Sequence, residues 1–109
     1  MVESLHRLIS DRGFDAVRSG LESRFHASGL AYTIRYGEPP SFSLFIRLES
    51  GERIGEVCAW ESGDCEVQLA EFKKEGIGAM HYELKSDQDF HTRLAEVFRF
   101  VAKKELAEV

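Results

Sequence analysis

The spacing of apolar residues along the first thirty positions predicts two short helices. Two apolar clusters occur there, Leu5 with Leu8 and Ile9, and then Phe14 with Val17, Leu21 and Phe25. At roughly 100° per residue the clusters point to nearly opposite sides of a single helix axis. Gly13 stands between them and favours a break, and Ser28-Gly29 is expected to end the second helix. Two helical segments facing different neighbours therefore explain the pattern better than one continuous helix.

From Leu30 onward the apolar positions alternate with a period of two, which predicts five β-strands. The predicted strands are LAYTIRY at 30–36, SFSLFIRL at 41–48, ERIGEVCAW at 52–60, CEVQLAEF at 65–72 and GAMHYELK at 78–85. Ser-Gly turns join the second strand to the third and the third to the fourth, whereas GEPP and KKEGIG form the other connections. Turns as short as the Ser-Gly ones join antiparallel neighbours.

The C-terminal segment has the features of a helix that covers one face of a sheet. Ser86 is a suitable N-cap, and Asp87 and Asp89 fall in the first turn, where the helix dipole favours acids. Lys103 and Lys104 fall near the C-terminal end, where the helix dipole favours basic residues. The apolar stripe consists of Phe90, Leu94, Val97 and Val101, with Phe98 beside it. The predicted fold is one α+β domain spanning residues 1–109, with N-terminal helices, a five-stranded antiparallel sheet and a C-terminal helix packed on one sheet face.

The third predicted strand does not reveal by its pattern which face it buries. One face carries Ile54, Glu56, Cys58 and Trp60, and the other carries Arg53, Gly55, Val57 and Ala59. Its neighbours are clear, since the second strand buries Phe42, Leu44, Ile46 and Leu48, and the fourth buries Cys65, Val67 and Leu69. A shift of one residue in register turns every side chain to the other face, so the turn lengths decide. A three-residue loop after Leu48 and a two-residue loop after Trp60 would bury Trp60 and Glu56. A two-residue loop after Leu48 and a three-residue loop after Trp60 would place both side chains outside.

We favour the arrangement with Trp60 outside, because the other would bury an unpaired Glu56 carboxylate at a cost of several kcal/mol. A three-residue loop with Gly63 in the left-handed conformation is also a common hairpin form. The core side of the fifth strand would carry Met80, Tyr82 and Leu84. The outer sheet face would carry Phe45, Glu56, Trp60, Asp64, Glu66, Gln68, His81 and Glu83. A tryptophan surrounded by acids is typical of a protein-binding hot spot; the alternative is a solvated face that happens to include one tryptophan.

The charge of the chain narrows the classes of partner. Its 109 residues include 19 acidic and 14 basic ones, with a formal net charge of −5. This balance argues against nucleic acid, whose phosphates require a basic patch, and suits a basic protein partner. No apolar run has the length of a signal-peptide core or a membrane span, so we expect a cytoplasmic protein without membrane contact. In that compartment Cys58 and Cys65 are expected to stay reduced, as small half-buried strand residues.

The sequence carries no complete set of catalytic residues. His81 and Glu83 share a face and could form an acid–base pair, but no nucleophile, glycine-rich phosphate loop or third ligand accompanies them. The cysteines form no C-x-x-C pair, and the histidines lack the spacing of a zinc finger. We therefore expect neither an enzyme nor a site for a metal or another cofactor.

The segment VCAWESGDCEVQL, followed by HYELKSDQDFHTRL, resembles the TriTu family of small bacterial immunity proteins. The shared pattern is a strand ending in tryptophan, the turn E-S-G-acid-C, an alternating strand, and a histidine-bearing strand leading into the last helix. It extends from about Arg53 to Val101. Ala59 departs from it, because the family pattern has a β-branched residue before the tryptophan.

The resemblance implies a cytoplasmic protein that binds a cognate toxin tightly and has no catalysis of its own. The toxins concerned are Rhs-type proteins of the type VI secretion system, in particular an ADP-ribosyltransferase that modifies elongation factor Tu. The implied mechanism is occlusion of the toxin's NAD-binding cleft or of its access to the target. Trp60, Glu61, Asp64 and Glu66 carry over from the motif as candidate partner-binding residues.

The partner would then be a toxin with a basic cleft, since a cleft that binds the pyrophosphate of NAD tends to be electropositive. A monomer or weak dimer is expected. Two alternatives remain open at this stage. One is a secretion chaperone, which would dimerise and hold an unfolded client segment, and the other is a small enzyme using His81 and Glu83.

Overall fold

The computed structural model describes residues 2–9, 15–37, 42–72 and 78–103. Its elements are α1 (Glu3–Ile9), α2 (Asp15–Ala27), β1 (Ala31–Gly37), β2 (Ser43–Glu49), β3 (Arg53–Trp60), β4 (Asp64–Glu71), β5 (Gly78–Glu83) and α3 (Asp87–Ala102). The predicted α+β order of two helices, five strands and a helix is confirmed. Several predicted features lie outside the described residues: the break at Gly13, Phe14, the side chain of Val17, the proline loop at 38–40, the turn at 73–77 and Lys104.

The five strands form one antiparallel sheet in which each strand pairs with its neighbours in the chain. The side of the sheet that packs against the helices, here called the inner face, carries Leu44, Ile46 and Leu48 of β2, Val57 and Ala59 of β3, and Cys65 and Val67 of β4. The opposite side, the outer face, is partly or fully exposed at every described position. The core therefore lies on one side of the sheet, and the described side chains on the other side keep at least part of their surface exposed.

Helix α3 lies against β3 at a point where the strand has no side chain. A Cβ at Gly55 would lie 2.6 Å from Val97 Cγ1 and 2.8 Å from Val101 Cγ2, so only glycine permits this approach. The helix begins as predicted, because the Ser86 hydroxyl accepts a hydrogen bond from the Asp89 backbone N–H at 3.4 Å. Its predicted apolar stripe is buried: Phe90, Leu94, Val97, Phe98 and Val101.

The two N-terminal helices extend the same core. In α1 the predicted cluster of Leu5, Leu8 and Ile9 is buried. In α2 the Phe25 ring stacks on Phe98 of α3, with ring centroids 6.0 Å apart. The second helix ends where predicted, with Gly29 in the left-handed region at φ 74°.

Four residues expected in the core are not fully buried: Phe42, Leu69 and Tyr82 are half-buried, and Met80 is exposed. Met80 lies on the inner side of β5 but is 37% exposed. The physical reason is position, because β5 is an edge strand while α3 is centred on β3. Tyr82 on the same strand is half-buried under the Arg93 guanidinium of α3, which lies 4.1 Å from the ring centroid. Leu84, where the chain turns towards α3, is buried as expected.

Candidate functional site

The turns on either side of β3 place Trp60 on the outer face. At the first turn Glu49 pairs with Ile54, and the Ser50 N–H donates to the Arg53 carbonyl at 2.9 Å, which leaves two residues at the tip. At the second, Ala59 pairs with Cys65, which leaves the three-residue loop Glu61-Ser62-Gly63 after Trp60. The predicted loop lengths are therefore confirmed.

The same register turns Glu56 outward with Trp60. The Glu56 carboxylate remains partly exposed and lies 3.5 Å from Arg47 Nη1. All eight residues predicted for the outer face lie on that side of the sheet: Phe45, Glu56, Trp60, Asp64, Glu66, Gln68, His81 and Glu83.

The turn after Trp60 is held tightly from the side of β5. Gly63 has φ 101°, and its N–H donates to the Trp60 carbonyl at 2.9 Å. Its own carbonyl accepts from the Leu84 N–H at 2.7 Å, and a Cβ at Gly63 would lie 2.8 Å from the Leu84 carbonyl oxygen. A left-handed conformation and a close backbone neighbour both require glycine here.

Helix α1 and the residue before it, Val2, hold this turn from the other side. The Val2 N–H donates to the Glu61 carbonyl at 2.9 Å, and His6 Nδ1 lies 2.5 Å from Glu61 Oε2. The His6 ring also meets Phe42 edge-on, with centroids 6.3 Å apart. His6 is not predicted from the sequence, because it is separated from Glu61 by 55 positions and no local pattern indicates such a contact.

A depression of about 570 Å³ opens beside Trp60. This Trp60 depression is lined by Phe42, Trp60, Glu61, Ser62, Asp64, Glu66 and His81. Five of the predicted partner-binding residues therefore meet in one place, whereas Glu56, Gln68 and Glu83 do not line it. Glu56 and Gln68 instead line a smaller hollow of about 150 Å³ with Arg47, Ile54, Leu69 and Ala70.

His81 joins two carboxylates at the edge of the depression. Its Nδ1 lies 2.8 Å from Glu66 Oε1, and its Nε2 lies 3.4 Å from Asp64 Oδ1. The hydrogen bond to Glu66 raises the pKa of His81 above its ordinary value, with Asp64 and Glu83 adding a smaller attraction for the proton. The pair of His81 with Glu83 considered from the sequence is therefore not the contact that His81 makes, and Glu83 lies 3.9 Å from Lys85 Nζ instead.

The outer face carries two arginines as well as acids. Arg35 of β1 lies over the Phe45 ring, 4.8 Å from its centroid. Arg47 of β2 lies 2.8 Å from Glu49 and 3.5 Å from Glu56. The acidic character expected for the whole face is thus concentrated over β4 and β5, beside the Trp60 depression.

The two cysteines have the properties of structural residues. Cys58 lies on the outer face and Cys65 on the inner face, and both are free thiols. Burial raises the pKa of Cys58 to about 11 and that of Cys65 to about 12, so neither thiol ionises readily near neutral pH. Within the described ranges, no group of three or more histidine, cysteine or acidic side chains is arranged to hold a metal ion. No helix in the same part of the chain combines the length and apolar character that a membrane crossing requires.

Comparison with protein families gives a match over most of the chain. The family described as "Immunity protein TriTu" matches residues 7–100, which include the whole sheet and most of α3. Comparison with curated proteins gives no match, and comparison with solved structures gives none either.

Proposed function

Starting from the fact that this chain belongs to the TriTu immunity protein family, we propose that it binds a cognate toxin through the outer face around Trp60 and neutralises it by occlusion. The proposed toxin is an ADP-ribosyltransferase delivered as an Rhs protein of the type VI secretion system. In this proposal the chain acts stoichiometrically in the cytoplasm and catalyses nothing itself.

The observation that carries the proposal is the position of Trp60. It stands, partly exposed, on the outer sheet face, beside a concave surface that also contains Phe42 and the carboxylates of Asp64 and Glu66. Aromatic side chains in a hollow supply most of the binding energy of many interfaces, and surrounding charges set the partner and speed the encounter. A cleft that grips the pyrophosphate of NAD needs positive charge, so an acidic surface complements it.

The contact residues fall into two groups in this proposal. Trp60, Glu61, Asp64 and Glu66 make the central contacts, and Glu56, Gln68, His81 and Glu83 surround them on the same face. The turn at 61–63 is held by Val2 and α1 on one side and by Leu84 on the other. In this proposal its backbone keeps the same conformation when Trp60 meets the toxin. Such preorganisation reduces the entropy lost on binding.

The test is to co-express this chain with its cognate ADP-ribosyltransferase toxin domain and to purify the complex. We expect a 1:1 complex, protection of cells from the toxin, and loss of both NAD binding and ADP-ribosyl transfer at one equivalent of this chain. If no complex forms and co-expression gives no protection, the proposed function is wrong. A complex that still binds and consumes NAD would contradict occlusion while leaving toxin binding intact.

Oligomeric state separates this proposal from the secretion chaperone. A chaperone of that kind is a stable dimer that holds a disordered client segment. We expect light scattering to give the mass of a monomer, or of a weak dimer that dissociates on dilution, and we expect the toxin to be folded when bound. A concentration-independent dimer that captures only unfolded toxin would favour the chaperone.

A further inference from the structure

The Trp60 depression combines two kinds of side chain that act together on only a few ligands. Phe42 and Trp60 supply aromatic surface, and Asp64 and Glu66 supply carboxylates on the neighbouring strand. The side chains of Asp64 and Glu66 are 56% and 46% exposed, so both can still meet a partner. Glu61 is turned towards His6 and is more enclosed, at 26% exposure.

The two exposed carboxylates are held close to one another before any partner arrives. His81 reaches Glu66 with one ring nitrogen and Asp64 with the other, so the three side chains form a continuous polar edge. The Ser62 hydroxyl also donates to Asp64 Oδ2 at 2.9 Å. Each carboxylate can accept more than one hydrogen bond, so these contacts orient the acids without using up their capacity.

We infer that the Trp60 depression receives one arginine side chain of the bound toxin. This inference rests on the proposed function and specifies the chemistry of its central contact. A guanidinium is planar, so one surface of it can stack on an aromatic ring while its edge donates to two carboxylate oxygens. Lysine offers a compact charge with no plane to stack. An apolar anchor would cover the remaining acceptor positions of Asp64 and Glu66 without offering them a donor.

Charge also favours a cationic occupant over a second copy of this chain. The chain has a formal net charge of −5, and the depression lies in the acidic part of the outer face. Pairing two such surfaces would bring like charges together, which is costly in an interface. An arginine from a basic cleft meets the opposite charge instead.

The test is a set of double-mutant cycles on the purified complex. Each surface arginine and each surface lysine of the toxin domain is changed to glutamine and combined with Glu66→Gln and with Asp64→Asn in this chain. We expect one toxin arginine for which the arginine change and Glu66→Gln each raise Kd at least about tenfold, while the two together raise it no further than either alone. Lysine at that toxin position should recover only part of the loss, because it restores the charge without the planar donors.

Glu52→Gln is the matched control in this chain. It removes one acid from the tip of the β2–β3 turn, at the end of β3 opposite Trp60, where Glu52 is 72% exposed beside Lys103. It should show no coupling with any toxin arginine. Only variants whose circular dichroism spectra match those of the parent proteins enter the cycles, so a folding defect is not mistaken for a lost contact.

Two outcomes would overturn the inference, and they can be told apart. If the complex forms but no toxin arginine couples to Glu66 or Asp64, or if only a lysine does, the depression does not recognise arginine and the proposed function stands. If no complex forms with the unchanged proteins, the proposed function fails and the inference fails with it.

Discussion

The charge of Glu56 explains why the Trp60 side chain lies on the outer face. The two residues are four positions apart on the same side of β3. Burying that carboxylate without a partner would cost several kcal/mol, which exceeds the cost of leaving one aromatic side chain partly exposed. The strand therefore turns Glu56 towards Arg47 and solvent, and Trp60 follows it. A single acidic residue thus places the aromatic side chain that we propose as the centre of the interface.

Trp60→Ala should weaken toxin binding by about 2 kcal/mol or more, because the side chain fills the centre of the proposed contact. The fold should be unaffected, since Trp60 is on the outer face and the core contacts of β3 are made by Val57 and Ala59. Calorimetric titration measures the affinity, and the thermal melting curve serves as the control for folding. An unchanged affinity with an unchanged melting curve would remove Trp60 from the interface.

Glu66→Gln should lower the pKa of His81 towards its ordinary value of 6.5, because the hydrogen bond that raises this pKa depends on the Glu66 charge. The pH titration of the histidine ring signals by NMR measures it. His91 is the internal control: burial lowers its pKa, and Glu66 is not among the causes of that shift. A His81 pKa that stays raised in the variant would contradict the assigned cause.

The raised pKa of His81 also predicts how the stability of the fold depends on pH. The folded state prefers protonated His81, so this contribution to stability is fully present below the unfolded-state pKa near 6.5 and is lost as pH rises through the higher folded-state pKa. The free energy of unfolding of the unchanged chain, relative to His81→Gln, should therefore decrease as pH rises through that window.

At the scale of elements, Gly55 is where α3 and the sheet come closest. Gly55→Ala should destabilise the fold by roughly 1–3 kcal/mol, because the added Cβ overlaps Val97 and Val101 and the helix must move away. Gly51→Ala is the matched control, since a Cβ there meets nothing within 4 Å, and it should change stability by less than about 0.5 kcal/mol. Chemical denaturation measures both. Equal stabilities would show that α3 does not depend on this close approach.

Most of the elements could be predicted from local pattern, because alternation and helical periodicity each report on one buried side. The face of β3 could be predicted only by adding the cost of burying Glu56, and the predicted face is confirmed. The exposure of Met80 could not be predicted, because it depends on where α3 lies across the sheet. The contact of His6 with Glu61 could not be predicted either, because it joins an N-terminal helix to a distant turn through tertiary packing.

At the scale of the whole molecule, charge is distributed unevenly over the sheet. The arginines of the outer face lie on β1 and β2 and contact Phe45, Glu49 and Glu56, while the acids near Trp60 lie on β4 and β5. An acidic region of this kind attracts a basic partner over a distance comparable with the Debye length.

The association rate with the toxin should therefore fall by roughly tenfold or more as salt rises from about 20 mM to about 500 mM, whereas the dissociation rate should change much less. Stopped-flow measurements with a labelled toxin domain give both rates. Glu83→Gln combined with Glu56→Gln should reduce the slope of the association rate against salt. A rate independent of salt would show that charge does not guide this encounter.

The alternation of inner and outer side chains along β3 and β4 also affects how the sequence of such a chain can diverge in evolution. Trp60, Asp64 and Glu66 can be substituted without touching the core, since their chain neighbours Ala59 and Cys65 point to the other side of the sheet. Point mutations at these positions therefore leave the packing of the core in place. After gene duplication, two copies of such a chain could diverge to recognise different partners while keeping one and the same scaffold.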